Sequence, residues 1–224
     1  FYKKNKKTKN RFKVKYQDLK NLNLNFGKNF LFGIATSSYQ NEGSNKNNWS
    51  KFEEDKNLEK CNLSCDMWNL FDIDLKNMVY LGIKSFRFSL EWSRIQPKSN
   101  RGIDYKPLYK YEEWCKKLIE NNIEPILTLH HFTLPEWVEK DGGLLSENFV
   151  KYYYNYVDIV SSRLYKYVNI WITFNEPFLE CLHGYILGTR PPCIKNDFIK
   201  FKLCLKNICI AHSRVYHLLH FKNN

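Results

Sequence analysis

The sequence predicts an α/β fold organised around a parallel β-sheet. Four apolar runs of strand length recur along the 224 residues, and amphipathic patterns of helical period separate them. Because strand and helix alternate, successive strands should lie parallel and be joined by right-handed crossovers. A barrel and a doubly wound sheet both fit this alternation. No Gly-x-Gly-x-x-Gly motif follows any of the runs, which removes the commonest reason to prefer a dinucleotide-binding sheet.

The four predicted strands cover residues 30–36, 84–92, 125–131 and 170–176. The last run, from Ile170 to Glu176, is apolar without alternation, so we predict that it is buried on both faces. Proline cannot donate to a sheet ladder, and Pro177 is therefore expected to end this strand. Its carboxyl end presents Asn175 and Glu176, in the place where parallel barrels carry catalytic groups.

Helical patterns occupy the segments between these strands. Apolar residues fall at helical spacing over residues 67–79, 108–119, 149–164 and 198–219. We expect Gly82 to follow the first helix, Pro107 to precede the second and Ser146 to cap the third. The segment from Ser37 to Cys65 is rich in asparagine, and we predict a long loop of the kind that usually carries function.

The net charge of +12 is concentrated at the N-terminus. Residues 1–28 hold ten basic residues and one acidic residue, a net charge of +9, which leaves +3 for the other 196 residues. A basic arm can bind polyanions, but tails rich in lysine and asparagine are usually only solvated. We therefore expect a flexible tail over residues 1–28, no nucleic-acid partner, and a folded domain over residues 29–224. No apolar stretch approaches the length of a membrane helix, so no membrane association is expected.

The seven cysteines do not form a metal-binding or redox motif in the sequence. None belongs to a Cys-x-x-Cys pair, which argues against zinc-ribbon and thioredoxin-like sites. A chain of this length, with 43% hydrophobic residues, can bury a sizeable core without disulfides. No charged-then-apolar signal sequence opens the chain, although residue 1 is Phe and not Met. We expect reduced, mostly buried thiols and a cytoplasmic location.

Polar side chains lie within the second predicted strand and at or just after the carboxyl ends of the other three. In chain order they are Gln40, Arg87, His130, His131, Asn175 and Glu176. Because the carboxyl ends of parallel strands share one edge of the sheet, we expect these groups to converge. Four successive strands with this property are hard to explain by packing alone. The pattern therefore predicts a functional role for Glu176.

Structural alternatives exist for each of these residues. A lone strand-end glutamate is commonly a surface ion-pair partner, Arg87 between two phenylalanines fits a buried ion pair, and Gln40 fits a loop cap. Adjacent histidines point to opposite faces of a strand, so only one of His130 and His131 can face the interior of the rim. A metal site built from both histidines and Glu136 would lack any ligand spacing with precedent. We expect no metal.

Four motifs follow one another along the chain: 29–40 (NFLFGIATSSYQ), 86–95 (FRFSLEWSRI), 128–135 (TLHHFTLP) and 173–177 (TFNEP). They resemble those of glycoside hydrolase family 1, the retaining β-glucosidases and β-galactosidases with a (β/α)8 barrel. Together they extend the resemblance over about residues 29–219. The resemblance implies a partial TIM barrel that comprises about the first four βα units.

The resemblance also implies a role for each site residue. Glu176 matches the general acid/base of the family. Gln40, His131 and Asn175 match residues that contact sugar hydroxyls. Arg87 matches the arginine beneath the nucleophile. The implied activity is the hydrolysis of β-glycosidic bonds with retention, on a small-molecule β-glycoside and without cofactor or metal.

Two departures from the family pattern stand out. The family usually has Trp and Asp after the histidine that matches His131, whereas this chain has Phe132 and Thr133, which leaves the glycone preference open. The family's chains are also about twice as long, and their nucleophilic glutamate lies in a Thr-Glu-Asn-Gly motif that does not occur here. Retaining glycosidases need two carboxyl groups about 5–5.5 Å apart. Glu176 can supply only one of them.

Three interpretations remain open from the sequence. The chain is the N-terminal half of an ordinary hydrolase, a half protein that assembles with a separate C-terminal half, or a non-catalytic sugar-binding or interaction protein. In all three, the first and fourth strands would be unpaired apolar edges, which favours self-association or recruitment of the other half. Because the nucleophile is missing, we do not expect the 224-residue chain alone to turn over β-glycosides.

Overall fold

The computed structural model describes residues 26–27, 29–43 and 45–223, and it divides the chain into the units Phe1–Leu31 and Phe32–Asn224. The predicted basic tail over residues 1–28 lies almost wholly outside the described residues. In the first unit, the rings of Phe26 and Phe30 stack with their centroids 4.9 Å apart. The predicted boundary between residues 28 and 29 therefore stays a prediction.

A four-stranded parallel sheet forms the centre of the second unit. Its strands are β1 (Gly33–Ala35), β2 (Ser85–Ser89), β3 (Glu124–His130) and β4 (Ile170–Phe174), and they lie side by side in chain order. Parallel pairing confirms the prediction. Doubly wound sheets reverse their strand order at a switch point, whereas barrels add each strand to the same side. The order β1-β2-β3-β4 is therefore that of a barrel.

Helices follow each of these strands. They are α1 (Ser38–Asn41), α2 (Asn48–Asp55), α3 (Met67–Tyr80), α4 (Trp92–Ile95), α5 (Tyr105–Glu120), α6 (Glu136–Lys140), α7 (Phe149–Leu164), α8 (Pro177–Tyr185) and α9 (Phe198–Asn223), with 3-10 turns at Gly143–Leu145 and Tyr165–Tyr167. The predicted crossover helices correspond to α3, α5 and α7, and the predicted last helix corresponds to α9. The short helix α8, directly after β4, was not predicted.

Several predicted boundaries are wrong for local reasons. The helix α5 begins at Tyr105, because the side chain of Asp104 accepts a hydrogen bond from the Lys106 N–H and caps it. Pro107 then lies inside the first turn, where its missing N–H costs nothing. Ser146 does not cap α7. The N-cap is Asn148, whose N–H donates to the Ser146 hydroxyl at 3.1 Å.

The asparagine-rich segment after β1 is not the long loop that we predicted. It contains α1 and α2, and the side chain of Asn47 caps α2 by accepting the N–H groups of Trp49 and Ser50. Asn48 accepts the N–H of Leu134 at 2.8 Å and so ties α2 to the segment after β3. These asparagines are structural.

The burial predicted for β4 is also wrong. Ile170 is 38% exposed, Trp171 and Ile172 are half-buried, and only Phe174 is buried. β4 is the last strand of the described sheet, so nothing in the described residues covers its free edge. At the opposite edge, Ile34 in β1 is 41% exposed. Among the described residues, both edges are apolar and unpaired, as the half-barrel interpretation requires.

The core lies between the sheet and its helices. It is rich in aromatic rings, including Phe86 and Phe88 of β2 and Trp114 of α5. Gly33 allows the close approach of β1 to β2, because a Cβ atom there would lie 2.1 Å from the Ser85 hydroxyl. Across the described residues, no helix is long and apolar enough to span a membrane.

All seven cysteines are free thiols, but they are not mostly buried as we expected. The three buried ones are Cys115, Cys181 and Cys204, whereas Cys65 and Cys209 are exposed. The remaining two, at positions 61 and 193, are half-buried.

Candidate active site

The turn after β4 presents Glu176 to solvent. The Asn175 N–H donates to the His130 carbonyl at 2.9 Å and extends the β3–β4 pairing by one residue. Glu176 then adopts a left-handed backbone conformation (φ 44°, ψ 52°), and Pro177 begins α8. Non-glycine residues in this conformation are strained, and such strain collects at functional sites. The Glu176 side chain is exposed and accepts no hydrogen bond from any described residue.

Arg87 connects β2 to β3 and to the turn after β4. Its Nε donates to Thr128 Oγ1 on β3 at 2.9 Å, and its Nη2 donates to Asn175 Oδ1 after β4 at 2.6 Å. Burial lowers the pKa of Arg87, and the Glu176 carboxylate opposes that shift. Arg87 is only half-buried and its hydrogen-bond partners are neutral, so it is not the buried ion-pair partner of the structural alternative.

A small cavity brings Gln40 and His131 together. Its volume is about 40 Å³, and its lining consists of Ser37, Tyr39, Gln40, Trp49, His131, Phe132 and Thr133. Small-molecule sites usually measure roughly 300–1,000 Å³, so this cavity is one wall of a site and does not enclose a sugar. Gln40 also accepts a short hydrogen bond from the Ser37 hydroxyl within the first turn of α1, which partly fits the loop-cap alternative.

His131 is a neutral hydrogen-bonding group on this wall. Burial lowers its pKa to about 4, and the positive charge of Arg87 and the neighbouring His130 act in the same direction. Its Nδ1 atom is buried without a hydrogen-bond partner among the described residues. Buried polar atoms are usually paired, so Nδ1 is an exception, while the His131 ring itself lines the cavity.

His130 faces away from this wall, as expected for one of two adjacent histidines. It is buried, and its Nε2 lies 2.9 Å from Glu180 Oε1 on α8. Its ring also contacts Phe174 at 5.4 Å between centroids. Within the described part of the chain, no group of three or more His, Cys, Asp or Glu side chains could hold a metal ion.

Three further carboxylates near the rim already have hydrogen-bond partners within the chain. Glu91 is 1% exposed and accepts hydrogen bonds from the hydroxyls of Ser38, Ser93 and Thr133. Glu42 binds Tyr111 and Arg94, and burial raises the pKa of Glu42 to about 8 although Arg94 opposes the shift. Glu180 pairs with His130, as described above. Among Glu42, Glu91, Glu176 and Glu180, only Glu176 is exposed and therefore accessible to a ligand.

Sequence reasoning missed two residues of this arrangement. Thr128 accepts from Arg87, but it lies inside a strand, where threonine is ordinary. Trp49 lines the cavity and donates its indole N–H to the Phe132 carbonyl at 3.2 Å. In the sequence, Trp49 is only an aromatic residue in a segment that we predicted to be a loop, and no motif marks it as part of a site.

Comparison with known proteins places this geometry in a family. The model of Glycosyl hydrolase family 1 matches residues 22–224. The chain belongs to glycosyl hydrolase family 1. A 6-phospho-beta-galactosidase of Clostridium acetobutylicum is 34% identical over 200 residues, which are 87% of this chain and 42% of that protein. Beta-glucosidase A of Acetivibrio thermocellus is 31% identical over 210 residues, 89% of this chain and 47% of that protein.

Solved structures of family 1 enzymes have the same fold over this region. A beta-glycosidase from Pyrococcus horikoshii matches with a TM-score of 0.81 and 38% identity, over 88% of this chain and 46% of that chain. A beta-glucosidase from Thermotoga maritima in complex with deoxynojirimycin matches with a TM-score of 0.83 and 29% identity, over 87% and 46%. The chain therefore spans less than half the length of these family 1 relatives, and its sheet is part of a TIM barrel.

Proposed function

We propose that this chain carries the acid/base half of a retaining β-glycosidase. Membership of family 1 and the similarity to proteins named beta-glucosidase and 6-phospho-beta-galactosidase support this class of reaction. The observation that carries the proposal is the open carboxylate of Glu176 at the end of β4, beside Arg87 and Asn175.

In the proposed first step, Glu176 donates its proton to the glycosidic oxygen while a second carboxylate attacks the anomeric carbon. The leaving group departs as an alcohol, and the sugar becomes an ester of the second carboxylate. In the second step, Glu176 removes a proton from water, and the oxygen of that water displaces the ester. The product keeps the configuration of the substrate.

Three side chains are proposed to hold the glycone. The imidazole of His131, the amide of Gln40 and the amide of Asn175 supply donors and acceptors suited to sugar hydroxyls. Since the pKa of His131 is about 4, the ring would stay neutral at pH 7 and bind hydroxyls without binding charge. The sequence resemblance leaves open whether the sugar is glucose, galactose or a 6-phosphorylated form.

The second carboxylate is proposed to come from outside these 224 residues. The buried carboxylates of Glu42, Glu91 and Glu180 are occupied by hydrogen bonds, so none of them can attack a sugar. Arg87 would orient the incoming nucleophile. The complementary half of the barrel would pair with the free edge of β4, where a groove of about 490 Å³ lies between β4 and α9.

The cytoplasmic location stays a prediction, since only the free state of the seven cysteines supports it.

Aryl β-glucoside hydrolysis and sugar binding by the purified chain test the proposal. We expect no turnover, and we expect weak binding of the aryl β-glucoside by saturation-transfer NMR that His131→Ala abolishes. The matched control is Glu147→Gln, which changes an exposed glutamate. Turnover that Glu176→Gln removes and Glu147→Gln keeps would contradict an external nucleophile. Absence of binding by a folded chain would contradict the proposed sugar contacts.

A further inference from the structure

Two buried thiols face each other between α8 and α9. The Sγ atoms of Cys181 on α8 and Cys204 on α9 are 2.9 Å apart, and both residues are fully buried. Neither residue takes part in the proposed glycosidase chemistry. The pair also escaped the sequence analysis, because 22 residues separate the two cysteines and no short motif links them.

The packing of the two helices fixes this register independently of the thiols. One turn earlier on each helix, the rings of Phe178 and Phe201 meet edge to face with their centroids 5.8 Å apart. Each phenylalanine lies three positions before the cysteine on its own helix. The same alignment that pairs the rings therefore pairs the sulfurs.

The distance between the two sulfur atoms is close to that in a disulfide bond. The sulfur–sulfur distance in a disulfide is about 2.05 Å, so closure from 2.9 Å requires a movement of about 0.9 Å. A small side-chain rotation on either helix supplies such a movement. By contrast, the buried Cys115 lies on a different helix, α5, and offers a matched buried thiol outside this pair.

We propose that Cys181 and Cys204 are a redox-active pair that forms an intramolecular disulfide between α8 and α9. This inference is independent of the proposed function. Its structural consequence concerns α8, which begins directly after Glu176 and carries Glu180, the partner of His130. Oxidation would fasten that helix to α9 covalently.

The oxidant is a low-molecular-weight disulfide such as glutathione disulfide. The sulfur of one cysteine loses its proton and attacks the oxidant, which releases one glutathione thiol and leaves a mixed disulfide. The sulfur of the other cysteine then loses its proton and displaces the second glutathione. The protein gives up two protons and two electrons, and glutathione disulfide is reduced to two thiols.

Burial limits how fast this pair can react. The hydrogen bond with Cys181 and burial both raise the pKa of Cys204, which disfavours its thiolate. Exchange also requires transient opening between α8 and α9. We therefore expect the pair to react more slowly than the exposed Cys65 and Cys209.

Cysteine mapping of the 224-residue chain tests the inference. The chain carries Cys65→Ser and Cys209→Ser to prevent links between molecules, and it is incubated in glutathione disulfide under native conditions. Denaturation, alkylation and digestion without reductant should then yield one linked peptide that contains Cys181 and Cys204. Alkylatable thiols should fall by two, and dithiothreitol should restore them.

Thermal unfolding gives a second readout. Closing this loop should raise the melting temperature by about 6–12 °C. Cys115→Ser should keep that rise, and Cys181→Ser should remove it. The inference is overturned if Cys181 and Cys204 stay alkylatable after oxidation, or if either one links to another cysteine. Because the mapping is done on the intact pair, a folding defect of Cys181→Ser does not affect that result.

Discussion

Glu91 and Glu176 occupy equivalent positions after two strands of the sheet and have opposite environments. Each lies two residues past the end of a strand, β2 or β4, and each is the N-cap of the following helix. Glu91 is buried, and three hydroxyls donate to it. Glu176 is exposed, in a left-handed turn, and without a described donor. The position after a strand therefore does not decide the role of a carboxylate; the hydrogen bonds that reach it do.

The largest expected effect is a difference in how much the chain is destabilised when each glutamate is replaced by alanine. Glu91→Ala removes the buried acceptor of Ser38, Ser93 and Thr133, and it should lower the free energy of unfolding by about 3–5 kcal/mol. Glu176→Ala removes an exposed group without described partners, so the change should stay within about 0.5 kcal/mol. Urea unfolding followed by circular dichroism measures both. Equal losses of unfolding free energy in the two variants would contradict the difference between a buried, hydrogen-bonded Glu91 and an exposed Glu176.

His131 should make the stability of the folded chain depend on pH in the acid range. Because its pKa is lowered to about 4 in the folded chain and is about 6.5 in the unfolded chain, the unfolded state binds more protons between these values. This contribution to stability is intact above pH 6.5 and is lost as the pH falls toward 4. Partial exposure limits the loss to about 1–2 kcal/mol.

The difference between two unfolding curves isolates this contribution. His131→Gln should flatten the pH dependence of the free energy of unfolding between pH 4 and 6.5, measured against the unmodified chain. His217→Gln, at an exposed position on α9, is the matched control and should leave it unchanged. Identical slopes in the His131→Gln variant and the unmodified chain would show that His131 is not the buried neutral group described.

The smallest expected effect is the coupling energy between Arg87 and its neighbours. Arg87→Met removes the donors to Thr128 and Asn175, and a double-mutant cycle with Asn175→Ala should give a coupling of about 1–2 kcal/mol. The cycle with Glu176→Ala should give less than about 0.5 kcal/mol, since Glu176 is exposed. Stronger coupling to Glu176 than to Asn175 would mean that Glu176 is a structural ion-pair partner after all.

Much of this arrangement was accessible from the sequence. The apolar run that ends in Asn175 and Glu176, with Pro177 as a stop, predicted the end of β4 to within two residues. The alternation of patterns predicted the parallel order, and the four motifs predicted the family. Each of these signals is local in the chain, so a single sequence contains it.

The remaining features depend on contacts between distant segments. Nothing near Glu91 in the sequence indicates that Ser38 and Thr133, about fifty and forty residues away, would saturate it. The exposure of β4 was missed because its apolar run suits a strand with neighbours on both sides. Asn47 caps α2, but asparagine is so common in this chain that its capping signal did not stand out.

The central claim is that Glu176 is a general acid/base that lacks only its nucleophile. Its most direct test is a chimera in which residues 29–224 replace the matching part of the Thermotoga maritima beta-glucosidase, assayed with an aryl β-glucoside. We expect turnover, a loss of about 10²–10⁴-fold in Glu176→Ala, and no loss in Glu147→Ala. Azide, which attacks without a general base, should restore turnover in Glu176→Ala and yield a β-glucosyl azide. Unchanged turnover in Glu176→Ala, or a loss that azide does not rescue, would contradict the claim.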